Sequence, residues 1–553
     1  MRTMRSPRLD FSRFLKPRPD QPMPLWMIYP VIFAAIYALH FGLLTVPYYW
    51  DEAGYYIPAA WDFFRTGSLI PLTTLSNAHP PLPSVYLALW WKLAGFIPEV
   101  TREAVLLVAA LGLLGVGRLA MRLVGVTSVA VWTVALTALY PVWFAQSSLA
   151  HADIFAAACT LWGLVYSLPA RGRNPVAAAL WFAAAGLCKE TSIVIPLTLA
   201  LVCLLLALRL RKAQRRSSLV EGLWMASAAL PLAAWYGYHR MKTGFLFGNP
   251  EFLRYNAQAN LSPLRFLAAF GHRLLHLGAH MNLFVPVGMA LAAFLLVPRP
   301  DTEGHDRANL EKLPLARIFV LLLVEAVLYS LLGGALLTRY LLPMYPLVLL
   351  LALVMLYRRA PYWQGLAAVA GVAFAVGIVV NPPYGFAPED NLAYARFVRL
   401  HVAGIHELET RYPASTVLSA WPGTDELSRP ELGYVKQPFE VVPIEDFTEG
   451  EIQKAAGEPE RYSAALVFST KYDPPNALFS MGARSRALDA QYFGLHRDLS
   501  PEEIALRLHG RLVWKREDGG LWVAIIRFER QIEARLETPV AAQSLLRRNS
   551  TTK

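Results

Sequence analysis

Long apolar runs, each closed by a short charged or proline-bearing stretch, fill the first 380 residues of the chain. Leu25–Val46 is the first. It is longer than a signal-peptide core and has no small-residue cleavage site at its end, so it predicts a retained transmembrane helix. Further runs predict spans at Glu103–Val124, Thr127–Ser147, Ala152–Leu168, Pro175–Cys188, Ser192–Leu208, Leu219–Arg240, Met281–Val297, Leu315–Leu337, Tyr340–Tyr357 and Tyr362–Val380. Between the first two runs lies Pro47–Thr101, aromatic, polar and proline-dotted, with two surface helices predicted near Ala53–Thr66 and Ser84–Gly95. The second is too short to span and better suited to lie in the membrane interface. The pattern therefore predicts a polytopic α-helical membrane protein with about 11 transmembrane helices and outer juxtamembrane helices. After residue 380 it changes. The stretch 381–553 is polar, with short β-like runs at Thr416–Ala420, Ala464–Ser469 and Leu521–Phe528 between helix-like charged stretches. That predicts a C-terminal soluble α/β domain, long enough to bury its own core.

Composition agrees with a membrane assignment. Of the 553 residues, 55% are hydrophobic and 17% charged, against about 25% charged in soluble domains. The three cysteines, Cys159, Cys188 and Cys203, lie in apolar segments, which excludes a disulfide framework or a cysteine-based zinc site. The net charge of +12 invites a nucleic-acid reading, but its placement argues against one. Basic residues cluster just beyond apolar runs: in the N-terminal stretch 1–24, at Arg118/Arg122, Arg171/Arg173, Arg209–Arg216, Arg299/Arg307/Lys312/Arg317 and Arg358/Arg359. This is the positive-inside pattern. It makes 1–24 a cytoplasmic N-terminus and puts 47–101 and 381–553 on the opposite face.

Charged residues on that outer face are the candidates for chemistry, because a charge at a membrane boundary costs free energy. Asp51-Glu52 follows the first span, with Tyr55 close behind. Paired carboxylates can supply a general base and an orienting group or metal ligand; Asp51 also suits a plain helix N-cap. His79 sits before two prolines that fix its direction, and could ligate a metal, bind phosphate or be a bystander. Asp153 opens a helix, where a dipole partner is the ordinary role. Lys189 lies in an almost absent outer turn and could snorkel or hold a phosphate. Arg102 and Arg339-Tyr340 sit where the positive-inside pattern disfavours a cation. Together these residues give one membrane face the acids and cations that a reaction on a lipid-linked phosphate needs.

In this ordered set the chain resembles the GT-C fold glycosyltransferases of the protein O-mannosyltransferase and lipid A aminoarabinose transferase superfamily. The resemblance rests on Asp51-Glu52, HPPL at His79–Leu82, Arg102, Asp153, Lys189 after a Gly-Leu-Cys helix end, and RYLLPMYP at Arg339–Pro346, and covers roughly Leu25–Val380. It implies a transmembrane catalytic domain over 25–380 in a bacterial inner membrane, with active site and tail on the extracytoplasmic side. The implied enzyme moves a hexosyl or pentosyl group from a polyprenyl-phosphate donor to an acceptor hydroxyl on protein, lipid or glycan, with inversion. Asp51 would be the general base and Glu52 would orient base or acceptor. Lys189, Arg102 and Arg339 would bind phosphate, with Tyr55, His79, Asp153 and Tyr340 shaping the site. Some relatives use a divalent metal and others do not, so metal stays open, with Asp51, His79 and Asp153 as candidate ligands. The HPPL favours the mannosyltransferase-like side, since the lipid A enzymes carry an acid and a lysine where this chain has His79-Pro80. The rival class is a transporter or flippase of lipid-linked sugars. It predicts inverted repeats and broken midplane helices, neither of which is evident, and here the charges gather at one face.

Overall fold

The computed structural model describes residues 25–74, 76, 78–169, 172–248, 262–301, 304–332, 335–472, 474, 487, 490–493 and 498–528. The basic N-terminal stretch 1–24 lies outside them. Among the described residues, three helices are long and apolar enough to cross a membrane: Pro98–Val124, Glu190–Ala207 (its first turn 3-10) and Lys312–Leu331. Shorter apolar helices at Met27–Leu43, Thr127–Leu139, Ala152–Ser167, Pro175–Cys188 and Trp363–Val379 pack in the same bundle, as does Tyr345–Arg359. The longest, Pro98–Val124, starts with proline at its first position and Glu99 in its first turn, and stops at Gly125 in the left-handed region (φ 76°). Proline, an early acid and a terminal glycine are the usual signals for those ends. In the outer loop, Ile57–Thr66 and Leu82–Ala94 pack together, the latter only 13 residues long.

The helices depart from the expected runs where proline or charge interrupts the apolar pattern. The run Thr127–Ser147 breaks at Tyr140-Pro141 into two helices. Leu219–Arg240 is two helices, Lys212–Ser227 and Leu230–Thr243, with Pro231 in the first turn of the second. Proline has no N–H to continue the preceding helix, so the break falls there. Pro263–Gly278 is a helix the pattern does not announce, because Arg265, His272, Arg273 and His276 interrupt its apolar face. It meets Phe284–Ala293 at a bend of 99°, where Met281 and Asn282 take positive φ.

The tail builds a five-stranded mixed sheet. Its strands are β1 Thr416–Ala420, β2 Glu440–Ile444, β3 Ala464–Phe468, β4 Arg511–Asp518 and β5 Leu521–Arg527, in the order β2-β1-β3-β5-β4. The first three are parallel and the last two antiparallel. Strands β1, β3 and β5 coincide with the apolar β-like runs. Strand β4 is polar and exposed along much of its length, and the short β2, Glu-Val-Val-Pro-Ile, is interrupted by Pro443, so neither gives such a signal. Helix Ala393–Arg411 buries Phe397, His401, Ile405 and Leu408 against the sheet. The tail is fastened to the outer loop. Tyr434 Oη donates to the Tyr48 carbonyl at 2.8 Å, Arg429 Nη2 to the Thr73 carbonyl at 2.9 Å, and Tyr394 and Ser148 share a hydroxyl hydrogen bond of 2.8 Å.

Trp421 sits on Gly54, where a Cβ would lie 2.6 Å from the indole ring. Gly54→Val is therefore expected to push the tail off the loop, at about 1–3 kcal/mol of overpacking. Limited proteolysis should then cut between residues 381 and 421 faster than in wild type, with helical content retained. An unchanged cleavage rate would show that this contact does not hold the tail.

Candidate active site

Asp51 is presented by an unusual stretch of backbone. Trp50 takes φ 44°, a conformation that L-residues seldom adopt. It is boxed in by Phe397 at 5.6 Å and Trp421 at 5.1 Å between ring centroids. One π-helical turn, Glu52–Tyr56, then leads into the helix Ile57–Thr66; such turns concentrate at functional sites. Asp51 makes no side-chain capping bond. Its carboxylate is instead paired with Arg339 Nη2 and is 21% exposed, the most open of the acids grouped around that guanidinium.

The two adjacent acids have opposite surroundings. Glu52 is fully buried. It receives Arg102 Nη1 and Nη2, Tyr49 N at 2.8 Å and Ala150 N at 2.5 Å. Arg102 also donates to the carbonyls of Ser148 at 2.6 Å, Pro47 at 2.9 Å and Val46 at 3.2 Å. Its terminal nitrogens are thus committed inside the protein, and Glu52 has both oxygens occupied. This corrects two expectations. Arg102, expected at the phosphate, braces the loops at Pro47, Ser148 and Ala150 through Glu52, and Glu52, expected to orient base or acceptor, has both oxygens taken by Arg102 and backbone amides.

The cations gather on the other side of Asp51. Each nitrogen of the buried Arg339 guanidinium faces a carboxylate: Nη2 meets Asp51, Nη1 meets Glu389, and Nε lies 3.4 Å from Asp153. Lys189 Nζ donates to Asp153 Oδ1 at 2.5 Å and stands 4.0 Å from the centre of the Tyr340 ring, a cation–π distance. Tyr329 stacks on Tyr340 at 5.2 Å. Arg273 lies 5.8 Å from the Tyr340 ring, anchored to the carbonyls of Tyr329 at 3.2 Å and Leu337 at 2.7 Å. His151 Nδ1 is 3.2 Å from Arg339 Nη1. Burial, then the charges of Arg339, Arg102 and Lys189, push the His151 pKa well below its ordinary value, so its ring is neutral.

Two clefts flank the start of helix Ala152–Ser167. One is lined by Asp153, Lys189, Glu325, Tyr329, Arg339 and Tyr340. The other is lined by Tyr55, Tyr56, His79, Pro80, Ser84 and Ala152. His79 therefore stands apart from the cation group. Its Nδ1 lies 3.1 Å from Glu190 and its ring stacks on Tyr56 at 5.9 Å. Tyr55 is exposed near Trp421. The candidate metal ligands are not gathered: Asp51 and Asp153 bind Arg339, while His79 pairs with Glu190. Among the described residues no group of three His, Cys, Asp or Glu side chains is arranged to hold a metal ion.

Three site residues were missed from the sequence. Glu325 interrupts an apolar helix and carried a usable signal, since a charge there is costly; Arg273 lies in a helix the pattern does not announce, and Glu389 sits in a polar stretch, so neither carried one. His151 stands two residues before Asp153 in the same outer turn and was open to the same reading.

No protein-family model matches the chain and no curated protein matches its sequence. Its fold does match solved structures. The crystal structure of ArnT from Cupriavidus metallidurans in the apo state aligns with TM-score 0.50 and 15% identity over 91% of this chain and 98% of that one. The same enzyme bound to undecaprenyl phosphate aligns with TM-score 0.51 and 15% identity over 90% and 97%. ArnT is a lipid A aminoarabinose transferase of the GT-C fold, so the chain has the fold that its motifs resemble.

Proposed function

We propose that this chain is an inner-membrane glycosyltransferase that takes a sugar from a polyprenyl-phosphate donor and transfers it, with inversion, to an acceptor hydroxyl. The observation that carries this reading is one guanidinium, Arg339, which bridges the solvent-facing carboxylate of Asp51 to the cleft holding Asp153, Lys189 and Tyr340. A general base and a cationic phosphate site are thereby adjacent but separate. In the proposed reaction Asp51 takes the proton of an acceptor that meets its partly exposed carboxylate. The hydroxyl oxygen attacks the anomeric carbon and the bond to the lipid phosphate breaks. Lys189 and Arg339 meet the charge that develops on the departing phosphate, in a buried setting where such contacts are strong. The fold match to a protein solved with undecaprenyl phosphate supports the donor class.

The reading carries eleven spans over 25–380, a cytoplasmic 1–24, and an extracytoplasmic site and tail (381–553). The inverse of the loop-charge pattern supports it: the face holding Asp51, Asp153 and Arg339 lacks the basic clusters of the opposite loops. Sugar transfer to protein, lipid or glycan would serve the cell envelope in each case.

The test is release of lipid phosphate from polyprenyl-phosphate sugars by the full detergent-solubilised chain, supplied with hydroxyl acceptors of each class (a serine/threonine peptide, a glycolipid and a glycan). Lys189→Met should slow release by about 10²–10³-fold, the usual loss of a charge-stabilising donor. Equal rates for wild type and variant would remove Lys189 from the phosphate site, and absence of release by wild type across pentosyl and hexosyl donors would remove the reading itself.

A further inference from the structure

The first turn of the tail enters the candidate site. Pro388–Asp390 forms a single 3-10 turn with Glu389 and Asp390 buried. It is tied down on every side. Thr338 Oγ1 donates to Asp390, His280 Nε2 lies 2.9 Å from Asp390 Oδ2, Gln146 Nε2 donates to the Glu389 carbonyl at 3.3 Å, and Asn391 Nδ2 donates to the Gly377 carbonyl at 3.2 Å. The anchored turn sets one oxygen of Glu389 against Arg339 Nη1; the other, Oε1, is buried without a hydrogen-bond partner.

Because each nitrogen of Arg339 already faces a carboxylate, a phosphate that pairs with the guanidinium competes with one of them. Asp153 has Lys189 as a second partner at 2.5 Å, and Asp51 is open to solvent. Glu389 is buried, and its carboxylate is held by Arg339. Leaving as an ion would strand a buried charge, which costs several kcal/mol; leaving as a neutral acid would not.

We propose that Glu389 is a positioning residue that holds Arg339 while the donor site is empty and yields it to the lipid phosphate when the donor arrives, so that the tail sets the affinity of the membrane domain for its lipid. The inference rests on the transferase reading above. Below about pH 8 Glu389 is already largely the neutral acid and gives way without taking up a proton; above it, Glu389 takes one proton from solvent as phosphate replaces it and returns that proton when lipid phosphate leaves. The groups around it are Arg339 from the loop before Tyr345, Asp51 and Tyr49 from the outer loop, Asp153 and His151 (4.0 Å) from the start of helix Ala152–Ser167, and Asp390 beside it. Burial pushes its pKa up to about 8, with Arg339 opposing and the neighbouring acids reinforcing the rise.

The sign follows from linkage. Phosphate binding favours the protonated form, so affinity is full below that pKa and falls as pH rises through it. The second ionisation of a phosphate monoester, near pH 6, is complete before this window. The experiment is binding of undecaprenyl phosphate to the full chain in nanodiscs at pH 7 and pH 9, for wild type and Glu389→Gln. Wild-type affinity should fall about tenfold between the two, as a pKa near 8 requires. The Gln variant should vary less than about twofold and bind about tenfold more tightly than wild type at pH 9. A purely structural role would lower the variant's melting temperature and leave the pH slope in place. The wild-type series stands without the variant: binding with equal affinity at both pH values overturns the inference alone. A variant that keeps the wild-type slope also overturns it. Wild type that binds at neither pH overturns the transferase reading with it.

Discussion

Asp51→Asn is expected to lower the rate of lipid-phosphate release by roughly 10³-fold while leaving the melting temperature within about 2 °C of wild type. The size is that of a lost general base, typically 10²–10⁴-fold. Specificity comes from the contrast among four acids. Glu52 is sealed under Arg102 and two backbone amides, Asp153 is held by Lys189 and Arg339, and Glu389 is buried in the tail turn. Asp51 has one partner side chain and a fifth of its own surface open. Asparagine keeps its shape and can still approach Arg339 through its amide oxygen, so packing around Trp50 should survive. Single-turnover release and thermal unfolding, measured together, decide the matter. A variant that keeps more than about a tenth of the wild-type rate would mean that another group takes the proton. A large drop in melting temperature would mean that Asp51 serves the fold through Arg339.

How much of this was legible in the sequence depends on what each residue's neighbours reveal. Apolar runs announce helices because burying them is the dominant favourable term, and most described helices fall inside expected runs. Helix Pro263–Gly278 escaped because its charged residues, Arg265 and Arg273, are buried and paired within the protein, which no local pattern records. Asp51, Asp153, Lys189 and Arg339 could be grouped in advance because each sits at a helix boundary on one face, and they do meet. The same logic misled at Arg102. Its position against the positive-inside pattern signalled a functional constraint, but sidedness does not say what a cation pairs with, and the partner was Glu52, next to the candidate base. Glu389 is the opposite case. An acid in a polar tail carries no cost until the fold buries it, and here burial comes from tertiary docking of the tail.

The second large effect is expected at Arg102. Arg102→Leu should destabilise the chain by about 3–5 kcal/mol, because it leaves the fully buried Glu52 as an uncompensated charge. It would also strip hydrogen bonds from the carbonyls of Val46, Pro47 and Ser148, which tie the end of the first helix to the loop before Ala152. Adding Glu52→Gln should recover part of the loss, since the amide carries no charge and its single oxygen can still accept from one of the two amides, Tyr49 N or Ala150 N, that the carboxylate serves with separate oxygens. Arg102→Lys should recover less, because an ammonium cannot reach the same carboxylate and carbonyls from one plane. The measurements are yield of monodisperse protein, melting temperature, and affinity for undecaprenyl phosphate in whatever folds. A phosphate ligand would give another pattern: Arg102→Leu would melt like wild type and bind lipid phosphate weakly, Arg102→Lys would bind nearly as well, and Glu52→Gln would rescue nothing. That result would return Arg102 to the donor site and leave Glu52 without an explanation for its burial.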